Sequence, residues 1–292
     1  MPRMGHASVA DPSAYAQRRA REESGACTAA PALREARETM DERLENERQF
    51  HNTAFTTDQR EAAQKYYRVV GRSRERYLSL IEQLGAHGRV LEYGCATGSY
   101  VFHLANRGAR VAGIDISDGA LEEARRNAKT RLNAGCEAEF LQMNAEALEF
   151  PNATFDLVCG TGILHHLDLA KSYAEIRRVL KPDGAAVFVE PMAHNPLIAL
   201  YRWATPKMRT ADEHPLLIGD VIQARDHFQQ VDSEFFHLTS LAAVPFSRTP
   251  VFKPLVRALE RTDDLLFGVA PTMRRFAWRV VLVLRKPRIR QD

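Results

Sequence analysis

The sequence predicts an α/β fold: a doubly wound, mostly parallel sheet of seven strands, with an N-terminal helical cap and helical lid insertions. Three observations predict it. Short apolar runs alternate with stretches of helical spacing from Arg89 to Val189, an order that argues for a parallel sheet covered on both faces. The first run ends in an acid, Glu92, and opens on the turn Gly94-Cys95-Ala96-Thr97-Gly98, after which helical spacing begins. Asp115 closes the second run about twenty residues beyond that turn, where a doubly wound fold places a ribose-binding acid.

Taken in order, residues 1–39 are rich in Ala, Arg, Glu and Ser and are expected to form a disordered extension. Residues 40–88 form the cap. Phe50, Phe55, Tyr66 and Tyr67 mark an amphipathic stretch, and Tyr77, Leu80, Ile81 and Leu84 repeat at helical spacing until Gly85 and Gly88. Residues 89–190 form the core. Strand one is Arg89 to Tyr93, and the helix carrying Val101, Phe102 and Ala105 stops near Gly108. Strand two is Arg110 to Asp115, and Ser117 or Asp118 caps a helix bearing Leu121, Ala124 and Ala128. Strand three is Glu139 to Met143; Pro151 to Thr154 is a turn; strand four is Phe155 to Cys159. Leu169, Tyr173, Ile176 and Leu180 mark a helix ended by Pro182-Asp183-Gly184, and strand five is Ala185 to Val189.

Residues 191–292 hold lid insertions, a final helix near Val221 to Phe228, and the strands Val231–Leu238 and Trp278–Leu284 that complete the sheet. Pro191 to Pro215 and Pro245 to Phe276 are long connections, which in a compact domain are usually lids or binding loops. The second holds an apolar helix, Phe252 to Phe267, that either packs on the core or walls a greasy pocket.

The composition limits the function classes. The 292 residues are 45% hydrophobic, enough for a sizeable core. The net charge of +3 comes from scattered arginines beside acids, so there is no stripe for nucleic acid. The basic run Arg285 to Arg290 reads as a solvated tail. Cys27, Cys95, Cys136 and Cys159 have neither zinc spacing nor a disulfide framework, and Cys95 and Cys159 read as small core hydrophobes. No apolar leader and no bilayer-length run is visible, so a cytoplasmic setting is expected.

The turn's chemistry points to a ligand. A pyrophosphate there would be repelled by Glu92, whereas an ammonium would be held. S-adenosylmethionine carries an amino-acid ammonium and a sulfonium. From Arg89 to Glu190 the chain resembles the class I S-adenosylmethionine-dependent methyltransferases, within the broad group of ubiquinone, menaquinone and natural-product enzymes. Five segments carry the resemblance in order: Glu92 to Gly98, Gly113 to Ser117, Asn144 to Leu148, Phe155 to Val158 with Gly162 to Leu167, and Arg178 to Gly184. The resemblance implies a Rossmann-like sheet, S-adenosylmethionine as cofactor and S-adenosylhomocysteine as product; no carboxylate cluster suggests a metal site, so no metal is expected. Glu92, Gly94, Cys95, Ala96 and Gly98 would face the methionine end, and Asp115 would hold the ribose. Ile116 would pack on the adenine, Asn144 and the Ala145 amide would meet its edge, and Gly160 would lie near the methionine backbone. Two positions depart from the family: glycine is usual where Ala96 stands, and aspartate is frequent where Asn144 stands.

Methyl transfer needs an aligned nucleophile, exclusion of water and, for an oxygen acceptor, a base. His165 and His166, just past strand four, are the candidate bases, because strand carboxyl ends face the ligand crevice. Tyr66, Tyr67, His194, Tyr201 and His214 are substrate-side candidates. The apolar, aromatic lids favour O- or C-methylation of a lipophilic small molecule. A cyclase of the same fold and a non-catalytic S-adenosylmethionine-binding scaffold are the alternatives. Peripheral membrane contact through the Phe252–Phe267 helix, and a homo-oligomer through the N-terminal cap, stay open.

Overall fold

The structure, a computed structural model, describes Arg43, Glu45, Arg48, Gln49 and residues 68–204 and 214–288. The readings placed on residues 1–39 and on Phe50, Phe55, Tyr66 and Tyr67 lie outside the described residues. Contacts divide the chain into Met1–Glu47 and Arg48–Asp292, and the sheet belongs to the second unit.

Seven strands form one sheet: β1 Arg89–Tyr93, β2 Arg110–Asp115, β3 Ala138–Gln142, β4 Phe155–Thr161, β5 Leu180–Pro191, β6 Phe228–Phe236 and β7 Arg279–Pro287. Their order is β3-β2-β1-β4-β5-β7-β6. The first five strands are parallel, and β7 runs antiparallel to both of its neighbours. Strand order reverses between β1 and β4, the switch point at which a doubly wound sheet opens a crevice beyond its carboxyl ends.

Both faces are covered, which explains why the inner strands read as unbroken apolar runs. Helices α1 (Gly71–Gly85), α2 (Val101–Ala105) and α3 (Asp118–Arg131) cover one face. α1 is part of this layer: Tyr77, Leu80 and Ile81 pack with Val90, Leu157 and Val187. Each such fully buried aliphatic side chain contributes roughly 1.5–3 kcal/mol. The other face carries α4 (Leu169–Val179) and α6 (Ile218–Gln223), whose Tyr173, Ile176 and Val221 pack on Leu91, Phe188 and Leu282. Ser117 and Asp168 cap α3 and α4 by accepting from Ala120 N–H at 3.1 Å and Lys171 N–H at 3.1 Å.

The expected strand limits are corrected in several places. β3 lies one residue earlier than expected, and β4 runs on to Thr161. β5 begins at Leu180, not Ala185. Leu180 pairs with Phe155 before the chain bulges, and regular pairing resumes at Ala185 opposite Leu157. Pro182, with no N–H to pair, sits inside that bulge. α4 therefore ends at Val179. β6 starts at Phe228 and ends at Phe236, because its pairing with β7 runs through the charged Arg285 to Pro287. α6 stops at Gln223 and continues as a 3₁₀ turn, Ala224–Asp226.

At the amino edge, opposite the crevice, Asp156 ties three strands. It accepts from Lys181 Nζ at 2.7 and 2.8 Å and from Arg89 N–H at 2.8 Å. Burial raises its carboxyl, but the Lys181 and Arg89 bonds outweigh that and hold it below the ordinary range. Arg178 similarly closes the turn after Asn144–Leu148 by donating to Leu148 O and Phe150 O.

The two long connections form α5 (Pro196–Ala204) and α7 (Phe252–Val269). Asn195 starts α5 by accepting from Leu197 and Ile198 N–H, each at 3.1 Å. Phe252, Leu255, Val256 and Leu259 pack α7 against Val69, Val70, Ile198 and Trp278. Among the described residues no helix is long and apolar enough to cross a membrane.

Candidate active site

The carboxyl ends of β1, β2 and β4 stand in register: Tyr93 lies beside Ile114 and Gly160, and Asp115 beside Gln142 of β3. The residues expected to hold the cofactor therefore gather along one edge. Gly94, Ala96, Asp115, Ile116 and Asn144 are each half-buried there, the exposure a crevice lining requires.

The glycine turn has specific backbone demands. Gly94, Ala96 and Gly98 all adopt left-handed φ, at 62°, 46° and 93°. For Ala96 this conformation is strained, since its Cβ crowds the carbonyl. A side chain on Gly98 would overlap the Phe102 ring, and one on Gly94 would press on Ile163. Both glycines are thus required by the protein's own packing. Cys95 is fully buried, its N–H donating to Ile114 O at 2.9 Å, and burial pushes its thiol up.

Two acids organise this turn. Asp115 Oδ2 accepts from Ala96 N–H at 2.8 Å and Oδ1 from Ser117 N–H at 2.9 Å, so the β2 acid links the loop to the start of α3. Glu92 is only 1% exposed and lies beneath the loop. Its Oε1 and Oε2 accept from Tyr100 N–H at 3.2 and 3.1 Å, holding the start of α2. Burial pushes its carboxyl up to about 8, against the opposing pull of the Tyr100 and Val101 amides.

The segment expected to meet adenine, Asn144–Leu148, opens on an Asx turn: Asn144 Oδ1 accepts from Glu146 N–H at 2.9 Å. Ala145 is buried beside it. Glu146 reaches Asp168 N–H at 2.8 Å, joining this segment to α4. Gly160 is buried, and a side chain there would strike Ile163 and Phe188.

Beyond β4 the chain makes a 3₁₀ turn, Leu164–His166. The His165 side chain is buried, and its Nδ1 lies 2.8 Å from Glu190 Oε2. Glu190 is fully buried, and its Oε1 accepts from Ile163 and Leu164 N–H at 3.0 Å each. One glutamate thus fixes both the turn's backbone and its histidine. In the tautomer that donates Nδ1–H to Glu190, Nε2 is the ring's acceptor nitrogen. The His166 ring lies against His165, with centroids 4.2 Å apart and planes tilted by 40°.

Glu190 was not among the expected site residues. Its signal is an acid at the end of an apolar run, Ala185 to Val189, the same pattern that marks Glu92. Of the substrate-side candidates, His214 is exposed and donates its N–H to His165 O at 3.1 Å. His194 is exposed before α5, Tyr201 is half-buried on α5, and Tyr66 and Tyr67 lie outside the described residues. Among the described residues no cluster of three or more His, Cys, Asp or Glu could hold a metal ion.

A second polar cluster, unmarked in the sequence, fastens the lids. His237 is buried between Ser73 Oγ, 2.9 Å from Nε2, and Ser240 Oγ, 3.2 Å from Nδ1. Burial, then Arg279 and Arg72, push its ring down to about 3. Asp263 of α7 accepts from Leu238 and Thr239 N–H at 3.0 and 2.7 Å.

Comparison with known proteins agrees with this architecture. Residues 91–188 match the family described as a methyltransferase domain. The chain is 37% identical over 119 residues to the demethylmenaquinone methyltransferase of Lactococcus lactis, covering 39% of this chain and 46% of that protein. It is 38% identical over 109 residues to an S-adenosyl-L-methionine-dependent Diels-Alderase of Talaromyces variabilis, covering 37% of each. The chain thus spans less than half the length of these relatives. A solved S-adenosylmethionine-dependent methyltransferase from Mesorhizobium loti shares the fold, with a TM-score of 0.51 and 20% identity over 73% of this chain and 96% of that one. The matched segment, Leu91 to Phe188, spans the glycine turn, the β2 acid and the Asn144–Leu148 segment, and over that third of its length the chain is similar to a methyltransferase domain.

Proposed function

We propose that this chain methylates an oxygen or carbon of a lipophilic small molecule, with His165 as general base. S-adenosylmethionine, when bound, supplies the activated methyl group. The observation that carries the reading is the buried His165–Glu190 pair at the exit of β4, with Nδ1 and Oε2 2.8 Å apart. Glu190 orients the ring so that Nε2 takes the acceptor's proton as the methyl bond forms.

The residues of the crevice fit the cofactor. Asp115 keeps a half-buried carboxylate at the β2 end for ribose hydroxyls, and Ile116 offers an apolar face to adenine. Asn144 and Ala145 meet the adenine edge. The left-handed turn from Gly94 to Gly98 receives the methionine end, with Glu92 charging beneath it as an ammonium arrives. The likeness to a demethylmenaquinone methyltransferase supports a lipophilic acceptor. The likeness to a Diels-Alderase keeps a cyclase as the second reading.

The test is incubation with trideuteromethyl S-adenosylmethionine and an extract of the source cells, followed by mass spectrometry of both phases. Labelled product in the organic phase, lost in His165→Asn, supports the reading. An isomer of a substrate formed without label supports the cyclase.

A further inference from the structure

A cavity of about 500 Å³ opens at the outer edge of the sheet, away from the glycine turn. Its floor is Val231, Ser233 and Phe235 of β6, and one wall is Ile218, Val221 and Ile222 of α6. Three arginines stand at its rim: Arg225 after α6, and Arg274 and Arg275 in the 3₁₀ turn Pro271–Phe276. Among the described residues no carboxylate lines it. Two rim arginines are already oriented by the protein. Arg274 Nε donates to Phe267 O at 3.3 Å, and the Arg275 guanidinium lies 4.6 Å from the Phe276 ring centre.

The register locates this cavity relative to the His165–Glu190 pair. Glu190 pairs with Val280, and Val280 pairs with Phe235, so the three share one sheet face. Two strand spacings separate Phe235 from Glu190, about 10 Å. Leu216 and Val221 are buried in the core on that face, and Val221 also lines the cavity. The cavity therefore lies on the same sheet face as the His165–Glu190 pair, with the buried Leu216 and Val221 on that face.

We propose that this cavity binds a single-chain amphiphilic carboxylate, with its acyl chain along β6 and α6 and its head on the rim arginines. The volume falls in the range of small-ligand sites, roughly 300–1,000 Å³. An apolar floor selects a hydrocarbon chain, and guanidinium forks select a carboxylate by paired N–H donation. An uncharged chain would leave the arginines unused, and a short anion would leave the floor unfilled.

The experiment is calorimetric titration of the full chain with dodecanoate, dodecanol and acetate. Dodecanoate is expected to bind at a single site, with dodecanol and acetate weaker by about tenfold or more. The double variant Arg225→Ala/Arg275→Ala, which changes only exposed side chains, should weaken dodecanoate by about tenfold or more. Val231→Trp should block it while S-adenosylhomocysteine binding persists, and this arm separates failure here from failure of the cofactor reading. The proposal is overturned if dodecanoate does not bind, if dodecanol binds equally well, or if the double variant binds dodecanoate like the parent.

Discussion

Glu92 at the end of β1 and Glu190 near the end of β5 are both fully buried, and both accept backbone N–H groups from the turn that follows a parallel strand. Their remaining capacity differs. Glu92 gives both oxygens to the start of α2, so within the protein it holds the loop that would receive the cofactor's ammonium. Glu190 gives one oxygen to the loop after β4 and keeps the other for His165. A carboxylate offers about four acceptor positions. How many of them the backbone takes decides whether such an acid only supports a site or also tunes a reactive group within it.

The largest effect tests the Glu190 side. Glu190→Gln can still accept from Ile163 and Leu164 N–H, but it turns an amide toward His165 and favours the wrong tautomer. Methyl transfer should fall by about 10²–10⁴-fold. S-adenosylhomocysteine affinity, read by calorimetry, should change little. An equal loss of both would reduce Glu190 to the role of Glu92.

Gly98→Val tests the Glu92 side. It combines a left-handed φ of 93° with overlap on Phe102. Urea denaturation should show a loss of about 3 kcal/mol or more, and cofactor binding should fall with it.

A smaller effect separates the acids by pH. Burial holds the Glu92 carboxyl at about 8 in the fold, against an ordinary 4.5. Between those values the folded chain holds the extra proton, so Glu92 makes stability fall as pH rises. Glu92→Gln should flatten that slope in denaturation curves. His237 acts oppositely. Its ring titrates at about 3 in the fold against an ordinary 6.5, so the unfolded chain holds the extra proton, and stability falls as pH drops through that window. His237→Gln should flatten the acid limb and leave the alkaline one.

The smallest effect concerns Ala96, whose φ of 46° glycine would adopt without strain. Ala96→Gly should change stability by less than about 1 kcal/mol, because relief of strain and added chain entropy oppose each other. S-adenosylhomocysteine should bind about two- to fivefold tighter if the methyl group crowds the cofactor.

Much of the fold could be read locally. The limits of β1 and β2, Ser117 as a cap, and the turn at Gly94 to Gly98 follow from apolar period, capping chemistry and φ demands within a few residues. Some family-like segments are legible for a different reason than ligand binding. Asp156 and Arg178, which lie in two of those segments, tie strands and turns at the amino edge. Strand ends were less legible at β5, β6 and β7, because pairing across a bulge or through charged residues leaves no period to read.

By itself the sequence determined the parallel sheet, the glycine turn, the β2 acid and the presence of a histidine pair after β4, since each is written in neighbouring residues. Only the tertiary structure decided what those groups touch. His165 meets Glu190 across 25 positions because β4 and β5 lie side by side, and His237 meets Ser73 across 164 because α1 packs over the far strands. The same holds for the arginine-rimmed cavity, whose walls come from α6, β6 and the turn before β7. Periodicity is a local property of the chain, whereas these contacts depend on strand order and on which helix covers which face.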